Sequence, residues 1–173
     1  PVPGDQAPVR LHEGALPRPG EERGAGADAV RAVEPVDGAP AFVADDGSIN
    51  EVDLLIISRY SIFLVEIKSR PGEVSGDSHT WIWRDGTREY FDDNPLLLTN
   101  RKAKKLASLL RKQLTVQKRR TPYIQSLVFL SDPAQRCKLA GPARENVHLR
   151  ADIANKLFDL QKEFKENKYI RQF

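Results

Sequence analysis

"NEVDLLIISRYSIFLVEIKSRPG", residues 50–72, sets charged side chains at the two ends of the most hydrophobic stretch of the chain. Leu54–Ile57 and Ile62–Val65 are continuously apolar, the composition of central strands covered on both faces. Two strands are therefore expected, Glu51–Ile57 and Ile62–Lys68. The segment "SRYS" between them is short enough for an antiparallel hairpin, and Pro71-Gly72 ends the second strand. Side chains alternate across a strand, so Glu51 shares a face with Asp53, and Glu66 with Lys68. Pairing across the turn makes Asp53 and Glu66 near neighbours, with Glu51 and Lys68 one step further out. The charges thus gather at one end of one hairpin.

Two carboxylates brought that close repel unless a proton or cation sits between them. A hard divalent ion such as Mg²⁺ answers this, because it takes one or two carboxylates and keeps several waters. A lysine beside such an ion can orient the attacking water or stabilise charge developing on a phosphate. The pattern suits metal-assisted phosphodiester hydrolysis. The competing reading is a set of solvated salt bridges across a strand pair, each worth about 0–1 kcal/mol.

The rest of the chain frames this site. At 173 residues it suits one domain with a real core. No apolar run approaches the roughly 18 residues needed to cross a bilayer, and the opening "PVPGDQAPVRLHEG" has no signal-peptide pattern. A single cysteine, Cys137, forms no internal disulfide, and a cytoplasmic location fits. The absence of methionine hints at a piece of a longer polypeptide. The net charge of +3 conceals a split: residues 1–93 carry 18 acidic and 9 basic side chains, whereas residues 94–131 carry 9 basic and no acidic ones. An acidic site followed by a cationic surface suits a polyanionic ligand.

Residues 1–40, rich in Pro, Gly and Ala, are expected to be irregular apart from a candidate short helix over Glu21–Val33, with the folded domain over 41–173. Short strands are expected at Ala41–Ala44, Glu73–Ser75, Thr80–Arg84 and Arg88–Phe91, with turns at Asp45–Ser48 and Asp85-Gly86. Ala103, Leu106, Leu110 and Leu114 recur at helical spacing, so a long amphipathic helix runs from Pro95 to Gln117, capped by Asp93 or Asn94. Tyr123–Ser131 and Val147–Leu149 read as strands, and Ala151–Glu166 as a closing helix. The layout is α/β, a mixed sheet with helices packed on it.

With these elements in order, "NEVDLLIISRYSIFLVEIKSRPGEVSGD", a strand carrying Trp81 and Trp83, and "NPLLLTNRKAKKLASLLRKQL" together resemble the NERD (nuclease-related) domain. That family is similar to the PD-(D/E)xK, restriction-endonuclease-like nucleases. The resemblance covers about residues 41–130. It implies a restriction-endonuclease-like mixed central sheet flanked by helices, Mg²⁺ or Mn²⁺ as cofactor, and DNA as the partner. Asp53 and Glu66 would be the metal ligands, Lys68 the catalytic lysine and Glu51 an auxiliary acid. Family members usually carry a further acid on an N-terminal helix, for which Glu21 and Glu22 are the candidates here. They also often carry a Gln shortly after the Asn-Pro, where this chain has Leu98 and Thr99. "NEVDLLI…FLVEIKSRPG" is similar to the NERD segment heading large bacterial serine/threonine kinases of phage-defence systems. Further domains and defence-system subunits are then the expected partners. The alternative is a module that binds nucleic acid or a partner without cutting.

The cations of the long helix leave its apolar stripe free for the core, and Arg101, Lys102 and Lys105 are the candidate contacts to a nucleic-acid backbone. The bland reading is a solvated helix face. Trp81 and Trp83 share a strand face, where core packing is favoured over base stacking.

Overall fold

The computed structural model describes residues 31–33, 40–58, 61–118 and 121–166. The strands in chain order are β1 (Arg31–Val33), β2 (Ala41–Val43), β3 (Ile49–Glu51), β4 (Leu54–Ile57), β5 (Ser61–Lys68), β6 (Glu73–Gly76), β7 (Thr80–Asp85), β8 (Arg88–Asp93), β9 (Tyr123–Leu130), β10 (Arg136–Cys137) and β11 (Val147–Leu149). The helices are α1 (Pro95–Val116) and α2 (Ile153–Glu166), with a 3-10 turn at Gly141–Ala143.

The main sheet has the order β1-β4-β5-β9-β11. β4 and β5 pair antiparallel as the hairpin expected from sequence, while β5–β9 and β9–β11 are parallel. Alternation sends the two faces of these strands into different cores. Phe63, Val65 and Leu127 meet Leu160 and Phe164 of α2 on one face, and Leu64 with Leu55 and Ile124 meets Ala103 and Leu106 of α1 on the other. Phe63 and Leu64 are both fully buried, which is why the centre of the hairpin is apolar at every position. Helices on both faces of a mixed sheet make the fold α/β, compatible with a restriction-endonuclease-like arrangement.

A second sheet, ordered β10-β6-β7-β8, takes β6, β7 and β8 from the chain between β5 and α1 and its edge strand β10 from beyond β9. It buries Val74, Trp81 and Trp83 against Leu96, Val128, Leu130 and Val147. Both tryptophans are therefore core residues, as alternation favoured. Gly72 adopts φ +91°, and a Cβ there would collide with the carbonyl of Arg84. The Pro-Gly that ends β5 is thus demanded by close backbone approach. Asn94 caps α1, its side chain accepting from the Leu96 amide at 2.9 Å.

Two expectations change. Of the candidate helix Glu21–Val33, the last three residues are instead an edge strand paired antiparallel with Ile57–Leu55, and the remainder, with Glu21 and Glu22, lies outside the described residues. The strand expected over Glu51–Ile57 is also two strands. Val52 turns inward to near-complete burial, and its amide donates to the Pro40 carbonyl at 2.7 Å. β3 therefore pairs with β2 in a separate two-stranded ladder, and only Leu54–Ile57 continues in the main sheet.

Candidate functional site

The hairpin register pairs Leu54 with Val65, so Asp53 and Glu66 stand one step beyond, at the end of the hairpin away from the turn. Asp53 is held there through its Oδ2, which accepts the Ile67 amide at 2.7 Å. Glu66 is buried at 8% exposure and is gripped on both sides. Lys68 Nζ donates to Oε1 at 2.8 Å, and Lys102 Nζ, reaching in from α1, donates to Oε2 at 3.2 Å. Burial by itself would raise the Glu66 carboxyl, but the hydrogen bond and charge of Lys68, reinforced by Lys102, hold it below the ordinary range and so keep it ionised. A carboxylate this buried needs a cationic partner, because an unpaired buried charge is costly.

Glu51 does not join this group. It lies on β3, exposed, opposite Ala41, and the break at Val52 separates it from β4, which Asp53 immediately precedes. Alternation sets Glu51 and Asp53 on one face only along one continuous strand. That continuity fails because Val52 is drawn into the core with Leu64 and Ala103.

The basic helix divides by role. Lys102 faces Glu66, with a side chain 13% exposed. Lys105 folds onto the Asp45–Ser48 turn, 2.7 Å from Ser48 Oγ and 2.9 Å from Asp46 Oδ2, and Lys112 meets Asp45 at 2.7 Å. The Ser48 hydroxyl, then Lys105 and the Ser48 amide, hold the Asp46 carboxyl well below the usual carboxylate range. Part of the acidic-to-basic split in the sequence is therefore neutralised within the fold. Arg101, Lys104 and Arg111 are exposed and form no ion pair among the described residues. Of the three cations nominated from sequence, Arg101 faces solvent, and Lys102 and Lys105 are engaged by carboxylates.

The grip of Lys102 on Glu66 was invisible in the sequence. The residue was legible only as one cation among several, since its direction depends on how α1 packs across β5. His79, by contrast, is an exposed loop residue whose carbonyl accepts the Asn94 amide at 2.6 Å, so its part is in the entry to α1.

The model of the nuclease-related domain family, NERD, matches residues 36–131, more than half of the chain. The chain belongs to the NERD family. The match spans β2 through β9, and so contains Asp53, Glu66, Lys68 and Lys102. A segment of 70 residues is also 43% identical to the probable kinase PglW of Streptomyces coelicolor, covering 40% of this chain. The same segment amounts to 4% of that protein's length. No solved structure matches the chain.

Within this NERD domain the donor chemistry at the hairpin end fits a magnesium-like ion in part. Such an ion needs only one or two carboxylates, and both oxygens of Glu66 are engaged by Lys68 and Lys102. Asp53 keeps Oδ1 free of any hydrogen bond among the described residues. No group of three or more His, Cys, Asp or Glu side chains placed to hold a metal occurs among those residues. No helix among them is long and apolar enough to cross a membrane.

Proposed function

We propose that this NERD domain is a metal-dependent nuclease module that acts on DNA and works as one part of a larger bacterial protein of phage defence or DNA processing. The observation that carries the reading is the meeting of Asp53, Glu66 and Lys68 at one hairpin end beside a cationic helix. Asp53 and Glu66 hold Mg²⁺ or Mn²⁺, which when bound supplies Lewis-acid polarisation of the phosphate and a more acidic water. Lys68, with a side chain 34% exposed, is the member of the clamp open to solvent. It orients the attacking water or takes up charge on the phosphate. Lys102 ties Glu66 to α1 and competes with the ion for its Oε2. Arg101, aided by Lys104 and Arg111, contacts the backbone of the strand and adds affinity without sequence preference. Lys102 and Lys105 join them only by releasing their carboxylates. Glu51, on the separate β2–β3 ladder, stands outside this site.

The family membership supports a nuclease-like role, and the likeness to part of a probable kinase supports placement within a longer chain. The reading is tested by nicking of supercoiled plasmid with Mg²⁺ or Mn²⁺. Wild type should nick, while Asp53→Ala and Lys68→Ala should not. Loss of cutting in all three, with DNA binding intact, would replace it with the second reading.

That second reading is a non-catalytic module binding nucleic acid or a partner. It is favoured by one specific observation: both oxygens of Glu66 are already taken by lysines. A flat salt dependence and no DNA shift would leave partner binding alone.

A further inference from the structure

Two residues beyond Lys68 the chain enters a second feature that the hairpin site does not use. Arg70, Pro71, Trp83, Asp85 and Tyr90 line a pocket of about 350 Å³, a size within the roughly 300–1,000 Å³ of small-ligand sites. Trp83 and Tyr90 are direct cross-strand partners in the β7–β8 ladder, so their rings share a face of the second sheet. The Arg70 guanidinium lies 5.5 Å from the centre of the Trp83 ring and 5.8 Å from that of Tyr90. Asp92 fixes it at 3.0 Å. Trp83 is buried, whereas Tyr90 is 46% exposed on a strand that faces solvent throughout. The indole N–H of Trp83 has no hydrogen-bond partner among the described residues.

We propose that this pocket is a subsite for one unstacked nucleobase, guanine by preference, beside the phosphate engaged at Lys68. It rests on the nucleic-acid reading above but not on cleavage. An aromatic face and a guanidinium plane are the two surfaces on which bases stack. Tyr90 supplies a half-exposed ring, and Arg70, which lies over that ring and pairs with Asp92, a planar cation. Asp85, when ionised, only accepts hydrogen bonds. Guanine alone among the DNA bases offers two adjacent N–H donors on its pairing edge, which gives Asp85 its selectivity. Arg70 follows Lys68 by two residues, so their Cα atoms lie within about 7 Å. A base in the pocket would belong to a nucleotide next to the phosphate at Lys68.

The test is NMR titration of the full chain without divalent metal, using dGMP, dAMP, dCMP, TMP and inorganic phosphate as probes. The dGMP should shift the Trp83 indole and the Asp85 and Tyr90 amides saturably, and more tightly than the other nucleotides. Tyr90→Ala, at an exposed position, should weaken dGMP roughly 5- to 150-fold, the range of one base–aromatic stack. Asp85→Asn should bring dGMP down to the level of dAMP. The proposal is overturned if no probe moves these resonances, if phosphate moves them as far as dGMP, if the four nucleotides bind equally, or if Tyr90→Ala leaves affinity intact. Saturable dGMP binding in a protein that never nicks DNA upholds the subsite without the nuclease. Nicking with a silent pocket removes the subsite and leaves the nuclease.

Discussion

Lys102 crosses from α1 to place its ammonium 3.2 Å from Oε2 of Glu66 on β5, locking the helix to the strand that carries the candidate site. The contact is structural as well as electrostatic, because one partner cannot be removed without stranding the other. Glu66→Gln leaves the Lys102 ammonium only 13% exposed and unpaired. It should cost about 2–4 kcal/mol, near the lower end of the loss for a broken buried pair. Pairing it with Lys102→Met should restore much of that loss. Urea unfolding of the two single variants and the double variant checks this, and strictly additive losses would contradict it.

The same contact competes with any cation for Glu66. Lys102→Met frees Oε2 while Lys68 still holds Oε1. It should therefore tighten Mn²⁺ binding by roughly 5-fold, about 1 kcal/mol. Titration calorimetry or Mn²⁺ electron paramagnetic resonance reads this directly. Weaker binding in the variant would mean that Lys102 organises the ligands.

Acid should weaken the fold through His148 on β11. Burial, then the charges of Arg144 and Lys156, push its imidazole down to about 4 despite Asp152 nearby. The folded protein thus keeps His148 neutral where the unfolded chain, with an ordinary value of 6.5, takes up a proton. Stability from this group is complete above about pH 6.5 and declines as pH falls towards 4. Urea midpoints from pH 7.5 to 4.5 should fall, and His148→Leu should flatten the part of that slope between pH 6.5 and 4.5. An unchanged slope would contradict the account.

Surface cations should differ in their effect on DNA according to their partners. Arg101→Ala, Lys104→Ala and Arg111→Ala should each reduce the slope of log affinity against log salt by about 0.9 on duplex DNA. Lys112→Ala should change it less, since Asp45 already sits 2.7 Å from that ammonium. Fluorescence anisotropy over a salt series checks both.

The hairpin was legible because burial on both faces writes an unbroken apolar run, and the Trp81/Trp83 core was legible because one buried face writes alternation. Asp53, Glu66 and Lys68 followed from pairing across the turn. What failed were features set by distant contacts. Three residues, Arg31–Val33, carry no period, and they become a strand only by pairing with β4. The break at Val52 depends on the carbonyl of Pro40 and on the core under α1. The direction of each cation on α1 depends on what the helix faces: Glu66 for Lys102, the Asp45–Ser48 turn for Lys105 and Lys112, and solvent for Arg101.

The central claim is that Asp53, with Glu66 and Lys68, forms one catalytic site from which Glu51 is excluded by the break at Val52. It is tested most directly by the initial rate of Mg²⁺-dependent plasmid nicking in Asp53→Asn and Glu51→Gln, two nearly isosteric changes of exposed acids two residues apart. The account predicts a loss of at least about 100-fold for Asp53→Asn, on the order of one removed catalytic group, and a rate within about 3-fold of wild type for Glu51→Gln. Equal losses in the two, or cutting that survives Asp53→Asn, would contradict it.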